Sequence, residues 1–317
     1  MIKTFAICLV LALTLVSTAF AQLTPEQQAA RDKGLALYQQ SDWYDSQPLL
    51  QIAAEAGDQQ AQYYLGEAIR LSKRYMTAEA RKWYEAAAEQ GDLFAMLRLS
   101  DSSDLCHELG TCALNGTEWR EKALDLAYER AEQGDTQAMH ALFNAKQGIG
   151  WLEKAADGGD SAAQRLLAGL YLDGEGWFFV PGSREEAILS LYQASAEGGY
   201  PPGMFEYSLA IAPTNKSEAS EWLKKAASEN YVNAVIEYAA NLAGLSTTFN
   251  LAIDRITGHA LMKLVVDISP ENTIRLEMLK DIEKEMDAKE IERAVTVAEE
   301  WEKTHPPLSY FVPVYGF

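Results

Sequence analysis

Apolar residues recur along this chain at helical spacing, and the helical stretches are broken by short, similar punctuation. Glu26 to Gln40 places Ala29, Ala30, Leu35 and Leu37 among polar residues, which predicts an amphipathic helix. Thr24-Pro25 ahead of it offers a capping hydroxyl and a proline suited to the first helical position. Six times thereafter a helical run ends in Ala and acid followed by Gly or Asn, and a second run begins. The punctuating residues are Gly57, Gly91, Gly134, Gly159, Gly199 and Asn230, with steps of 34, 43, 25, 40 and 31. A period scattered around the mid-thirties indicates one supersecondary unit with loops of varying length.

Columns around the punctuation predict how each unit packs. Eight residues before it stands a large apolar residue: Leu49, Trp83, Leu126, Trp151, Leu191 or Trp222. Three before it is always Ala, and four after it comes a small residue, Ala61, Ala95, Ala138, Ala163, Gly203 or Ala234. Eight after it is large again: Leu65, Leu99, Leu142, Leu167, Tyr207 or Tyr238. Small residues let two helices approach and large ones fill the layer between them. Gly or Asn supplies a left-handed turn, and the Asp that follows in four units can cap the second helix. The expected unit is an antiparallel helix pair that cannot bury its faces alone.

This pattern resembles the Sel-one-like repeat, a relative of the tetratricopeptide repeat, over roughly residues 30 to 245. The fullest copy is Leu167-Ala168-Gly169-Leu170-Tyr171-Leu172-Asp173-Gly174-Glu175-Gly176-Trp177, followed by Arg184-Glu185-Glu186-Ala187. The resemblance implies an all-α, right-handed α-solenoid of antiparallel helix pairs. Three units depart from the pattern. Ser100 to Trp119 is a longer segment holding two cysteines, Pro201-Pro202 follows Gly199, and Asn230 replaces glycine.

The expected organisation is a signal peptide over 1–21, the repeat array over 22–245, a C-terminal helical cap over 246–304 and an extended aromatic tail over 305–317. The cap reads as helices Ile256 to Ile268, Pro270 to Met286 and Ala288 to Lys303, with Ser269 and Asp287 as caps. The tail, His305-Pro306-Pro307 through Phe317, either folds back onto the array or reaches a partner.

Charge then narrows the partners. Lys+Arg 27 against Asp+Glu 46 leaves a net charge of −19, which disfavours nucleic acid and anionic membranes. The acid surplus suits a basic protein partner, or serves solubility alone. Lys3, the apolar run Ile7 to Val16 and Ala19-Phe20-Ala21 match a cleaved leader, so the expected location is periplasmic, with cleavage after Ala21 and no membrane insertion afterwards. Two cysteines then remain, Cys106 and Cys112, read as a disulfide in an oxidising compartment, with free thiols or a zinc site as alternatives.

Catalytic chemistry finds little footing. His107, His140, His259 and His305 are scattered, and no nucleophile elbow, phosphate loop or dinucleotide fingerprint occurs. Asp173 and Glu175 lack the further ligands of a calcium loop. No cofactor or metal is expected and no enzyme activity. The aromatic residues off the expected buried column are the candidate partner contacts: Trp43, Tyr44, Tyr84 and Trp119, on first helices taken to line the inner surface, and Phe178 and Phe179, with Trp177 as the plug of their loop. The resemblance implies protein binding. Exported proteins of this kind include immunity proteins that neutralise phospholipase effectors of type VI secretion, which is the expected role here. An envelope scaffold or adaptor, or a regulator, is the alternative.

Overall fold

The computed structural model describes residues 23–101 and 105–315; the leader expected over 1–21 lies outside the described residues. Among the described residues the chain forms α1 (Pro25–Gln39), α2 (Trp43–Glu55), α3 (Gln59–Lys73), α4 (Ala78–Glu89), α5 (Leu93–Ser100), α6 (Cys106–Leu109), α7 (Gly116–Glu132), α8 (Thr136–Asn144), α9 (Ile149–Asp157), α10 (Ser161–Leu172), α11 (Ser183–Glu197), α12 (Pro201–Ile211), α13 (Lys216–Ser228), α14 (Val232–Ala243), α15 (Arg255–Asp267), α16 (Thr273–Glu283) and α17 (Ala288–Thr304). Successive helices pack on one another from α1 to α5 and from α7 to α15, with α5 packing directly on α7, which makes an α-solenoid.

The punctuation works as its chemistry requires. Gly57, Gly91, Gly134, Gly159 and Gly199 have φ between 85° and 91°, and Asn230 takes the same left-handed region at 54°. Asp58, Asp92, Asp135 and Asp160 each accept a backbone N–H from the first turn of the second helix. Tyr200 makes no side-chain cap, but Pro201 and Pro202 occupy the first turn and carry no N–H to satisfy. At the N-terminus Thr24 caps α1 in a capping box with Gln27.

The packing columns need one correction. The alanines three before each turn are all buried, as are the small residues four after it. The large residues eight before it are only half-buried except Trp83. The buried column is the next residue along: Leu50, Tyr84, Ala127, Leu152, Tyr192 and Leu223. That position is four residues from the invariant Ala and so shares its helix face, whereas its neighbour is turned aside. The half-buried Trp151 and Trp222 stack under Lys154 and Lys225, at 3.9 and 4.0 Å from the ring, and the buried Trp83 lies under Lys82 at 4.5 Å.

Cys106 and Cys112 are joined in a disulfide, which closes the loop around α6. Arg81 donates to the carbonyls of Thr111 and Cys112, and the Thr111 hydroxyl donates to the carbonyl of Met76, so the loop docks on the start of α4. At the C-terminal end α16 starts later than expected. Asn272 caps it by accepting the N–H of Arg275, Pro270 lies in the preceding turn, and the Ser269 hydroxyl pairs with that of Tyr310 at 3.1 Å instead. Asp287 caps α17 in a second capping box with Glu290. The two ends of the array face each other across a hollow of about 890 Å³ between the end of α1 and the start of α16.

Candidate functional site

Two places on this scaffold have the character of a binding site: an inner groove and an exposed loop. The groove is lined by residues of α1, α3, α5, α8, α10 and α14, with Tyr200 at the turn into α12. The tail lies along it. Ser309 N–H donates to the carbonyl of Asn230 at 2.9 Å, and Val232 N–H donates to the carbonyl of Ser309 at 3.0 Å, a single bridge of parallel type. Tyr310 N–H donates to the main chain of Gln39 at 2.9 Å. The Gln39 side chain grips Val312 from both sides, accepting its N–H at 2.6 Å and donating to its carbonyl at 3.3 Å. Gln40 donates to the carbonyl of Leu308 at 3.1 Å, and the Tyr63 hydroxyl donates to that of Val314.

Aromatic contacts hold the tail's side chains. Phe311 meets Tyr200 and Tyr231 edge to face, at 6.1 and 5.9 Å between ring centres. Tyr310 accepts from Arg275 at 2.7 Å, and Tyr315 lies over the Arg98 guanidinium at 4.1 Å. Beneath Tyr315 the Glu67 carboxylate is fully buried and accepts from Arg98, Arg70 and the Tyr84 hydroxyl. Burial, reinforced by the Glu67 charge, pushes the pKa of Tyr38, Tyr63 and Tyr84 well up and that of Tyr64 up to about 12.

Asn230 explains its own departure from glycine. It is buried, its amide Nδ2 donates to the carbonyl of Pro306, and its Oδ1 accepts from the Trp301 indole at 2.7 Å. A glycine would make the turn but lose the side-chain bonds to Pro306 and Trp301. A cavity of about 220 Å³ remains beside Pro313, Val314 and Tyr315, lined by Phe94, His140, Asn144 and Arg165 among others. The Asn144 amide nitrogen is buried without a hydrogen-bond partner among the described residues. Burial holds His140 below its ordinary pKa, and Arg165 donates to Glu206 at 3.1 Å.

The first helices therefore form the outer layer, which corrects the expectation that they line the inner surface. The sequence columns determine which faces of a pair meet; they do not determine which layer curves inward. Tyr84 is fully buried in the α4 core, and Trp119 is buried under Lys122, so neither presents a surface. Trp43 is half-buried against the core, while Tyr44 is 62% exposed and donates to the carbonyl of Ser72.

The loop between α10 and α11 reverses another assignment. Phe178 is the plug, edge-on to Tyr171 at 5.0 Å and stacked under Arg184 at 4.6 Å. Trp177 and Phe179 are each 89% exposed, with Val180 and Leu172 exposed beside them. Arg184 fixes the loop backbone by donating to the carbonyls of Tyr171, Glu175 and Gly176. The exposed Asp173 and Glu175 border the patch.

Among the described residues no group of three His, Cys, Asp or Glu could hold a metal ion, and no helix is long and apolar enough to cross a membrane. His259 pairs with Glu283 at 3.3 Å, and His305 stacks on Trp301.

No protein-family profile matches the sequence, and no curated protein matches it. Among solved structures the chain is similar to a protective antigen present in uropathogenic Escherichia coli strains, which displays an SLR fold. The identity is 18% and the TM-score 0.52, over 89% of this chain and 62% of the antigen, so the chain spans less than two thirds of that protein. A Sel1 repeat protein from Oxalobacter formigenes overlaps less closely, with 18% identity and a TM-score of 0.41, over 76% of this chain and 97% of that one. The fold is an all-α solenoid of the SLR type.

Proposed function

We propose that this protein is an exported Sel1-repeat binding module that docks another protein on the loop between α10 and α11. Its partner is a toxic enzyme, of the phospholipase type delivered by type VI secretion, which it neutralises in the periplasm. The observation that carries the docking surface is the pair Trp177 and Phe179, almost fully exposed on a loop that Arg184 holds in place. Large aromatic side chains presented on an ordered backbone bind at low entropic cost and dominate interfaces. The bordering carboxylates and the net charge of −19 favour a partner whose apolar pocket has a basic rim. The leader-like first residues and the disulfide support export. The immunity role rests on analogy with exported proteins of this fold.

Affinity capture with residues 22–317 from periplasmic extract of toxin-producing and target cells tests the reading. A single enzyme retained in equal amount, and silenced by added protein, is the expected result. Several envelope proteins retained together with none inhibited would replace immunity with a scaffold role.

A further inference from the structure

The inner groove contacts the tail chiefly through the tail's main chain. The carbonyls of Pro306, Leu308, Ser309, Val312 and Val314 and the N–H groups of Ser309, Tyr310 and Val312 are all taken by groove residues. Such contacts recognise an extended chain whatever its sequence, and aromatic sockets add preference for its side chains. The tail is also an imperfect tenant. Phe311 sits at φ 50°, a region that bulky L-residues rarely adopt, and a cavity of about 220 Å³ adjoins Val314 and Tyr315, with the buried Asn144 amide nitrogen without a hydrogen-bond partner among the described residues on its wall. A strained, extended segment held largely through its main chain occupies a place that another extended chain could take with the same bonds.

We infer that the groove is a peptide-binding site for an extended, proline-flanked apolar segment with aromatic residues, and that the chain's own tail occupies it as an intramolecular competitor. A partner supplies such a segment and displaces 306–315. Gln39 clamps its backbone, Tyr200 and Tyr231 take one ring, and Arg98 takes another. The inference deepens the reading of the protein as a binding module. Its test uses the chain's own peptide, so its failure would leave the aromatic-loop reading standing.

The probe is a labelled synthetic peptide of residues 305–315, titrated into full-length chains. Asn230→Gly removes the tail's side-chain anchor and restores the residue that the other five turns carry. Ser309→Pro removes the Ser309 N–H and leaves every residue of the array unchanged, which covers the case in which the first variant folds poorly. Where the tail occupies nine-tenths of the grooves, releasing it should tighten peptide binding about tenfold relative to the unaltered chain. Adding Gln39→Ala to a released chain should weaken that binding again. Saturable, tail-sensitive and Gln39-dependent binding supports the inference. Absent binding, or affinity that is equal in released and unaltered chains, overturns it and makes the tail a fixed part of the fold.

Discussion

Glu67 has no exposed surface, yet its carboxylate receives Arg98, Arg70 and the Tyr84 hydroxyl at 2.5 to 3.1 Å. Breaking a buried ion pair from one side leaves charge without compensation, so Glu67→Ala should destabilise the fold by about 3–5 kcal/mol, measured by urea unfolding. The tyrosines around it give a pH signature. Their folded pKa values lie above the unfolded value of about 10, so their contribution is whole below that pH and is lost as pH rises through the folded values. Stability should fall between about pH 10 and the value of about 12 for Tyr64, with helix loss and tyrosinate absorbance rising together. Ionisation of these tyrosines with helicity intact would contradict that coupling. The cluster was not legible in the sequence. Tyr84 stands beside Trp83, both are buried, and only the packing of the helix faces shows that the tyrosine hydroxyl reaches Glu67.

At the scale of elements the turns were legible because their chemistry is local. A left-handed residue followed by a capping Asp ends one helix and starts another, and four of the six units use that pair. Asp160→Ala should therefore cost about 1 kcal/mol by removing the acceptor for Ala163 N–H, read from thermal or urea unfolding. The α10–α11 loop was legible as apolar surplus but not in detail, because the plug is chosen by contact with Tyr171 and Arg184. Arg184→Ala should free the loop: amide exchange over 174–178 should quicken while the flanking helices keep their protection. Unchanged exchange there would show that Phe178 alone suffices to hold it.

Across the whole molecule the tail joins regions far apart in sequence, from Asn230 in the sixth turn to Gln39 in the first helix and Tyr63 and Arg98 beyond it. No local pattern announces such contacts. Asn230 was visible as a missing glycine, but its meaning required the positions of Pro306 and Trp301. With the inner face filled and Tyr84 and Trp119 in the core, the aromatic loop becomes the principal apolar surface among the expected contact residues, with Tyr44 a lesser one on the outer layer. The most direct measurement is partner capture by the full-length chain and by the double variant Trp177→Ser, Phe179→Ser. Under the proposed docking, the double substitution should weaken capture by about a hundredfold, with helicity and unfolding midpoint unchanged. Capture at undiminished affinity by the doubly substituted chain would contradict the assignment of this loop as the docking surface.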